Sequence, residues 1–318
     1  MVNRRKITRG WAGDQVSPGQ SQDVELVVSE GYCGRDVIIQ VHVRRGPLPG
    51  PSVFVVGALH GDELNGTGAA RSLLTDGSLE LLCGTVLIAP VLNVLGFERH
   101  ERYLPDRRDL NRFFPGNAKG SMAKRFARRI FESIISGCDY GIDLHTAAVR
   151  RMNFPYVRAE LAVPGVRRLA TAFGVPLVLN GPGPEGSLRR EATKAGCPTI
   201  VVEGGEVWKV DPNVSECMRN GVKNCLCELG MLGGTLKRAE TLMTIEQATW
   251  IRAERGGFLE FHVAPGEVIK KGQLLAINSS LFNDELNRLE APFDGIVIGM
   301  TTLPAIQPGE PVVNLGRL

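Results

Sequence analysis

Three residues in two separate segments carry side chains that can bind zinc. His60 and Glu63 follow the apolar segment VFVVGAL, and His145 ends the segment YGIDLH. Imidazole nitrogens and carboxylate oxygens bind Zn²⁺ at about 2 Å, and a catalytic zinc keeps a position for water beside three protein ligands. These residue types make His60, Glu63 and His145 candidates for a His₂Glu metal site.

The candidate ligands can meet only if two buried strands end at the same edge of one sheet. The run VFVVG is continuous and apolar, as expected of a strand covered on both faces. The run YGIDL reads as another short apolar strand. Because ligands of open α/β sheets bind beyond the carboxyl ends of the strands, we expect the two strand ends to deliver their ligands to one pocket.

The other histidines and a pair of cysteines are interpreted as structural residues and not as metal ligands. His42 lies in an alternating strand, His100 in a charged loop and His262 in a β-rich region. Cys225 and Cys227 form a C-x-C pair, but apolar residues recur around them at helical spacing, and free cysteine behaves as a small buried hydrophobe. We assign none of these five residues to a metal.

Apolar periodicity divides the chain into two predicted domains. Residues 1–236 alternate strand-like runs such as DVIIQVHV with helix-like segments such as MAKRFARRIFESIIS. This alternation favours an α/β fold with a mixed sheet and helices on both faces. Residues 237–318 contain short strands separated by Pro-Gly turns, which predict a small all-β, barrel-sandwich-like domain. It resembles the half-barrel of biotinyl and lipoyl carriers, but the segment SSLFNDELNRLEAP lacks the carrier lysine.

The charge balance indicates which partners the protein can bind, and the cysteine count indicates its compartment. The chain has 37 basic and 34 acidic residues and a net charge of +3, which argues against general affinity for nucleic acid or membranes. No segment reaches the roughly 20 apolar residues that cross a bilayer, and the basic N-terminus lacks the apolar run of a signal peptide. Seven scattered cysteines suit a reducing compartment. We expect a cytoplasmic protein with a small-molecule substrate; the oligomeric state stays open, a homo-oligomer being one option.

Four motifs, taken in order, resemble the succinylglutamate desuccinylase/aspartoacylase family of the zinc carboxypeptidase superfamily. They are GALHGDE, NVLGFERHERYLPDRRDLNRFFPG, DLHTAA and VVEGGE. The resemblance spans about residues 26–236. It implies a zinc carboxypeptidase-like fold, one Zn²⁺ per chain and hydrolysis of the amide bond of an N-acyl amino acid.

The resemblance also implies which residues bind the metal and which residue acts as the general base. His60, Glu63 and His145 correspond to the zinc ligands of the family. Glu203 of VVEGGE corresponds to the general base, which takes a proton from metal-activated water and passes it to the leaving amine. Glu206 is a nearby rival that physical reasoning on the sequence does not separate from Glu203.

Arginines supply the other half of the implied mechanism. Arg102 corresponds to the family arginine assigned to the developing negative oxygen. Asn111 and Arg112 correspond to the pair that holds the substrate carboxylate, a task that suits the planar fork of arginine. In aspartoacylases a further arginine before the base binds an acidic side chain, and the sequence leaves open whether Arg189 or Arg190 reaches the substrate.

Two other functions fit the same residues. A metallocarboxypeptidase acting on a small peptide would use the same ligands and carboxylate clamp, because it also cleaves an amide beside a carboxylate. A non-catalytic zinc-binding protein would use the β domain for interactions. The presence of Glu203 with three candidate ligands argues against the non-catalytic protein, and the N-acyl amino acid hydrolase is the leading hypothesis. The acyl group, the amino acid and the metal loaded in the cell are not specified by the sequence.

Overall fold

The β-strands of the computed structural model are distributed over the whole chain. It describes residues 6–8, 10–75, 77, 79–237 and 239–318, and the remaining residues of the two predicted domains lie outside this description. In chain order the strands are β1 (Lys6–Thr8), β2 (Ser21–Glu30), β3 (Asp36–Arg45), β4 (Leu48–Gly57), β5 (Cys83–Ala89), β6 (Tyr140–His145), β7 (Arg151–Ala159), β8 (Leu177–Asn180), β9 (Thr199–Gly205), β10 (Met243–Ile245), β11 (Ala248–Arg252), β12 (Gly257–Phe261), β13 (Val268–Ile269), β14 (Leu274–Ser279), β15 (Glu285–Glu290), β16 (Gly295–Thr301), β17 (Ala305–Ile306) and β18 (Pro311–Arg317).

Helices connect the strands of the first two thirds of the chain. They are α1 (Asn65–Thr75), α2 (Val94–Phe97), α3 (Met122–Ile130), α4 (Pro164–Phe173), α5 (Leu188–Lys194) and α6 (Pro212–Glu228). Short 3₁₀ turns occur at Ala12–Gln15 and Leu110–Arg112, and α3 continues into a π-helical turn at Phe131–Ile135. Among the described residues, these helices are all too short or too polar to span a membrane.

The main sheet is mixed, with a parallel centre. Its order is β1-β2-β3-β5-β4-β6-β9-β7-β16-β18-β11. The four strands β5, β4, β6 and β9 run parallel, and β7 is antiparallel to β9. Helical connections between parallel strands place the carboxyl ends of β4, β6 and β9 side by side. The predicted mixed α/β sheet is thereby confirmed.

Alternating side chains of β4 build two cores on opposite faces of the sheet. Val53 and Val55 pack in a cluster with residues of α1, α4 and α6. Phe54 and Val56 pack in a second cluster with residues of α3 and of the N-terminal strands. A strand buried on both faces reads as a continuous apolar run, which explains the segment VFVV. The helices therefore cover both faces, as the sequence predicts.

The β-rich region after residue 236 continues the α/β sheet. β16 pairs antiparallel with β7 through Gly299↔Asn153, Met300↔Met152 and Thr301↔Arg151. β18 and β11 extend the sheet further, whereas β15, β14, β12 and β17 form a second sheet of four strands. The C-terminal β-rich domain is thus present, while its boundary at residues 236 and 237 stays a prediction.

Candidate active site

The loop after β4 brings its ligand candidates beside the end of β6. β4 and β6 pair in parallel up to Gly57↔Leu144, so His60 follows within reach of His145. The turn begins at Ala58, which takes a left-handed φ of 43°. Gly61 packs against the backbone of α2 so closely that a Cβ would lie 2.1 Å from the carbonyl carbon of Gly96. The loop sequence therefore needs a glycine between its histidine and its acids.

The three predicted metal ligands converge around one carboxylate. Nδ1 of His60 lies 2.7 Å from Oε1 of Glu63, and Nδ1 of His145 lies 2.8 Å from Oε2. One potential ligand atom from each residue falls within 4.8 Å of the others, and all three side chains are buried. The backbone N–H of Thr146 also donates to Oε2 of Glu63 at 3.0 Å. The geometry is that of a compact three-ligand site.

A second carboxylate lies behind each imidazole. Nε2 of His60 is 3.1 Å from Oδ1 of Asp109, and Nε2 of His145 is 2.9 Å from Oδ2 of Asp143. The latter contact is an ion pair by distance, and Nε2 of His145 makes no hydrogen bond among the described residues. Carboxylates behind ligating histidines fix the tautomer and the ring orientation. Both rings accordingly keep Nδ1 for the centre of the site.

The electrostatics of the centre favour a positive charge. Burial lowers the pKa of both imidazoles, but Glu63 and Asp109 outweigh it for His60, and Asp143 and Glu63 outweigh it for His145, so that both pKa values are raised. Burial opposes ionisation of Glu63, yet the two histidines bring its pKa well below the usual range. A bound cation would stabilise the ionised Glu63 in the same way as charged histidines do. Two imidazoles with one carboxylate suit Zn²⁺. The residues present therefore fit the metal.

Arg102 lies against the metal-ligand candidates. Its Nη1 donates to Oε1 of Glu63 at 2.9 Å, and its Nη2 donates to Oδ2 of Asp109 at 3.3 Å. The carboxamide of Asn93 donates to the backbone carbonyl of Arg102 at 3.2 Å, which fixes the loop. The guanidinium thus presents a permanent charge at the edge of the centre.

Asn111 and Arg112 line the same cavity, which has a volume of about 520 Å³. Asp109 accepts from the backbone N–H of Asn111 at 2.9 Å and starts the 3₁₀ turn that carries both residues. Oδ1 of Asn111 accepts from the backbone N–H of Leu188 at 2.8 Å, so the start of α5 holds the carboxamide. The structure therefore brings the predicted carboxylate-binding pair to the metal-ligand candidates.

Glu203 faces the cavity from β9. The register His145↔Glu203 places it directly beside a ligand candidate. Its Oε2 accepts from the carboxamide of Asn153 at 3.3 Å, and its Oε1 lies 3.6 Å from Nη1 of Arg158. Burial raises the pKa of Glu203, against the opposing effects of His145 and Arg158. A carboxylate with a raised pKa beside a candidate metal centre suits proton transfer.

The rival acid, Glu206, is engaged elsewhere. Its Oε1 accepts from the hydroxyl of Thr302 at 2.7 Å, and its Oε2 pairs with Nζ of Lys209 at 2.6 Å. Among the described residues that line the cavity, Glu203 is present and Glu206 is not. The geometry therefore separates two acids that the sequence leaves open.

The two arginines of α5 point in different directions. Arg190 donates to the carbonyl of Gly183 and pairs with Glu185. Arg189 lines the cavity, is only 6% exposed, and its Nη1 has no hydrogen-bond partner among the described residues. Burial and the neighbouring Arg158 lower the pKa of Arg189 to about 10. Of the two arginines, Arg189 is thus the one that lines the cavity.

Comparison with known proteins decides the family. The succinylglutamate desuccinylase/aspartoacylase catalytic domain matches residues 49–229, more than half of the chain. The chain belongs to this family. An N-alpha-acetyl-L-2,4-diaminobutyric acid deacetylase from Halomonas elongata is 27% identical over 259 residues, covering 78% of this chain and 75% of the relative.

Solved structures of family members share the fold over nearly the full length. The ectoine utilization protein EutE from Ruegeria pomeroyi superimposes with a TM-score of 0.81 at 23% identity, covering 94% of this chain and 95% of that one. A succinylglutamate desuccinylase/aspartoacylase from Rhodobacter sphaeroides gives a TM-score of 0.81 at 24% identity, covering 97% and 98%. These likenesses extend through the C-terminal β-rich region, so that region belongs to the shared fold.

Strand β7 of this family member carries cavity residues that the sequence analysis missed. Asn153, Tyr156 and Arg158 all line the cavity from this strand. The segment RMNFPYVRA contains Pro155, which argues against a central strand, and the strand was not predicted. The alternation of Arg151 and Asn153 with apolar residues before Pro155 was the available signal.

The C-terminal β-rich region also contributes side chains to the cavity. Ala248, Trp250 and Asn314 line it from β11 and β18. The guanidinium of Arg151 lies 4.7 Å from the ring centroid of Trp250, a cation–π contact between the two regions. No sequence motif connects residues so far apart, and only the sheet pairing brings them to the site.

Proposed function

We propose that the protein is a zinc-dependent hydrolase that cleaves the amide bond of N-acyl amino acids. The observation that carries this proposal is the convergence of His60, Glu63 and His145 in a cavity that also contains Glu203. The relationship to a deacetylase supports amide hydrolysis over binding alone.

One Zn²⁺ per chain would be held by His60, Glu63 and His145. When bound, zinc polarises a carbonyl oxygen and lowers the pKa of water towards about 7. The carboxylates of Asp109 and Asp143 lie against the Nε2 atoms of the two imidazoles, while both Nδ1 atoms face Glu63 at the centre. The chain therefore supplies both the ligands and the groups that orient them.

Glu203 moves the proton in the proposed reaction. Its carboxylate accepts a proton from water as the water oxygen attacks the acyl carbon. The same carboxyl group then donates that proton to the nitrogen as the carbon–nitrogen bond breaks, which leaves a carboxylic acid and an amino acid. The raised pKa of Glu203 suits both halves of this transfer.

Arg102 provides positive charge where the carbonyl oxygen becomes negative. It is held by Glu63 and Asp109 before substrate binds, so its position costs no reorganisation during the reaction. Asn111 and Arg112 are placed to bind the α-carboxylate of the substrate. This division of tasks aligns the acyl carbon between the metal centre and Glu203.

The charge of the cavity favours a substrate with more than one carboxylate. The cationic side chains that line it exceed the carboxylates of the described lining residues, which are Glu63 and Glu203. These cations are Arg102, Arg112, Arg151, Arg158 and Arg189. A second carboxylate would give the buried Nη1 of Arg189 the partner that it lacks among the described residues. We therefore propose an acidic acyl group or an acidic amino-acid side chain.

A substrate panel tests the proposal. Zinc-loaded protein is assayed against N-acetylaspartate, N-acetylglutamate, N-succinylglutamate, N-acetyl-diaminobutyrate and a set of dipeptides, with amine release as the readout. We expect turnover of the dicarboxylic N-acyl amino acids above that of the diaminobutyrate derivative. Preferential cleavage of dipeptides would identify a metallocarboxypeptidase instead. Binding of zinc without turnover of any member would indicate a non-catalytic zinc-binding protein.

A further inference from the structure

Strand β7 contains an extra residue where it passes Glu203. Asn153 pairs with Gly205 and Tyr156 pairs with Glu203, so two residues of β7 lie opposite the single Gly204. Such a bulge redirects the side chains that flank it. Residues 153 and 156 would face opposite sides of a regular strand, but here Asn153 reaches the carboxylate of Glu203.

The sequence of the bulge explains its place in the fold. Pro155 has no backbone N–H, and a bulge is one of the few places where a sheet accepts proline. The ring of Phe154 packs on Gly266 of the β-rich region, where a Cβ would lie 2.6 Å from the ring. The bulge is therefore anchored in the C-terminal part of the chain.

Asn153 itself also contacts the C-terminal β-rich region. Asn153 pairs with Gly299 of β16. A Cβ on Gly299 would lie 2.4 Å from Oδ1 of Asn153 and 2.7 Å from the carbonyl oxygen of Met152. Because no real side chain tolerates such distances, any larger residue at this position must displace both the carboxamide of Asn153 and the backbone carbonyl of Met152.

We infer that the C-terminal β-rich region positions the proposed general base, with Gly299 fixing Asn153 and Asn153 fixing Glu203. The inference rests on the proposed function of Glu203. Asn153 holds Oε2 of the carboxylate while Arg158 lies beside Oε1, so the carboxylate is restrained at both oxygens. Holding the proton-accepting carboxylate in its productive position raises the rate of the chemical step. Asn153 is thus a positioning residue.

Two substitutions test this arrangement on the full-length, zinc-loaded protein. We expect Asn153→Ala to lower kcat by about tenfold or more, with KM, zinc content and Tm close to those of the wild type. Gly299→Ala should lower kcat in the same way and also lower Tm, because its Cβ would lie 2.7 Å from the backbone carbonyl oxygen of Met152. Asn153→Asp should lower kcat further, since it places a second negative charge against Glu203. Gly256→Ala is the matched control in the same region, because its Cβ would meet nothing closer than 3.5 Å. We expect it to retain wild-type kcat.

A double-mutant cycle separates this inference from the proposed function. In a Glu203→Gln background, Asn153→Ala should cause no further loss, because it acts only through that carboxylate. An additive loss, or a raised KM with unchanged kcat, would overturn the positioning role. Full activity of Glu203→Gln alone would instead refute the proposed base. If Gly299→Ala does not fold, the two Asn153 variants decide the question.

Discussion

The rings of His60 and His145 lie edge to face with centroids 5.0 Å apart, and both turn Nδ1 towards the carboxylate of Glu63. They arrive from two strands that are separated by more than eighty residues of sequence but are neighbours in the sheet. Both histidines thus contribute to the candidate metal centre, which leads to the first prediction.

Removal of either imidazole should remove the metal. We expect His145→Ala to purify with less than about a tenth of the zinc of the wild type, because two ligands hold Zn²⁺ far more weakly than three. Zinc per chain is measured by elemental analysis after dialysis. His262→Ala is the control, since His262 is partly exposed in the β-rich region and should leave the zinc content unchanged. Equal zinc in both variants would contradict the ligand assignment.

The carboxylate behind His145 should tune the affinity for metal. Asp143 is fully buried and 2.9 Å from Nε2 of His145. We expect Asp143→Asn to weaken zinc binding by roughly 10- to 100-fold, since it loses the charge that orients the ring. Competition with a zinc-binding dye measures the change. Asp23→Asn is the control, because it removes a similar contact between a carboxylate and a histidine, Asp23 with His42 at 2.8 Å. Asp23 is exposed and does not line the cavity, so this substitution should have no effect on zinc binding.

The two acids at the end of β9 should differ sharply in their effect on rate. We expect Glu203→Gln to lower kcat by about 10²- to 10⁴-fold with zinc still bound, because the amide cannot accept the proton. Glu206→Gln should retain the rate within a few fold, since Glu206 bonds to Thr302 and Lys209 outside the cavity. Steady-state assays with the preferred substrate of the panel measure both. The reverse order of effects would transfer the role of base to Glu206.

Arg189 should determine preference for a second carboxylate. We expect Arg189→Ala to lower kcat/KM by roughly 10- to 100-fold for dicarboxylic substrates, which is the cost of losing a charge-assisted hydrogen bond. Substrates with one carboxylate should lose much less. Arg190→Ala is the neighbouring control, because Arg190 is bound to Gly183 and Glu185. An equal loss for both substrate classes would show that Arg189 supports the fold and does not read the second charge.

The sequence predicted the parts of the site that follow continuous apolar strands. His60, Glu63, His145 and Glu203 all lie at or just beyond the ends of such strands, where an α/β sheet places its ligands. The choice between Glu203 and Glu206 needed the direction of each side chain, which the motif alone does not provide. Position relative to a strand end is therefore readable from sequence, whereas orientation at a turn is not.

Other parts of the site depended on contacts that no local pattern encodes. Asn153 reaches Glu203 only because a bulge at Pro155 shifts the alternation of β7. Trp250 and Asn314 reach the cavity only because β16 pairs with β7 and brings β18 and β11 behind it. Such long-range pairings follow from the completed sheet, and a pass along the chain cannot derive them.

The pairing of β16 with β7 has a consequence for how the molecule can be divided. A protein cut after residue 236 would leave the Arg151–Asn153 stretch of β7 without the strand that pairs with it, so its backbone N–H and C=O groups would be unpaired on that side. Exposed edges of that kind recruit strands from other molecules and cause aggregation. The two predicted domains should accordingly melt in one cooperative transition, and neither should be obtainable as an independent, well-behaved fragment.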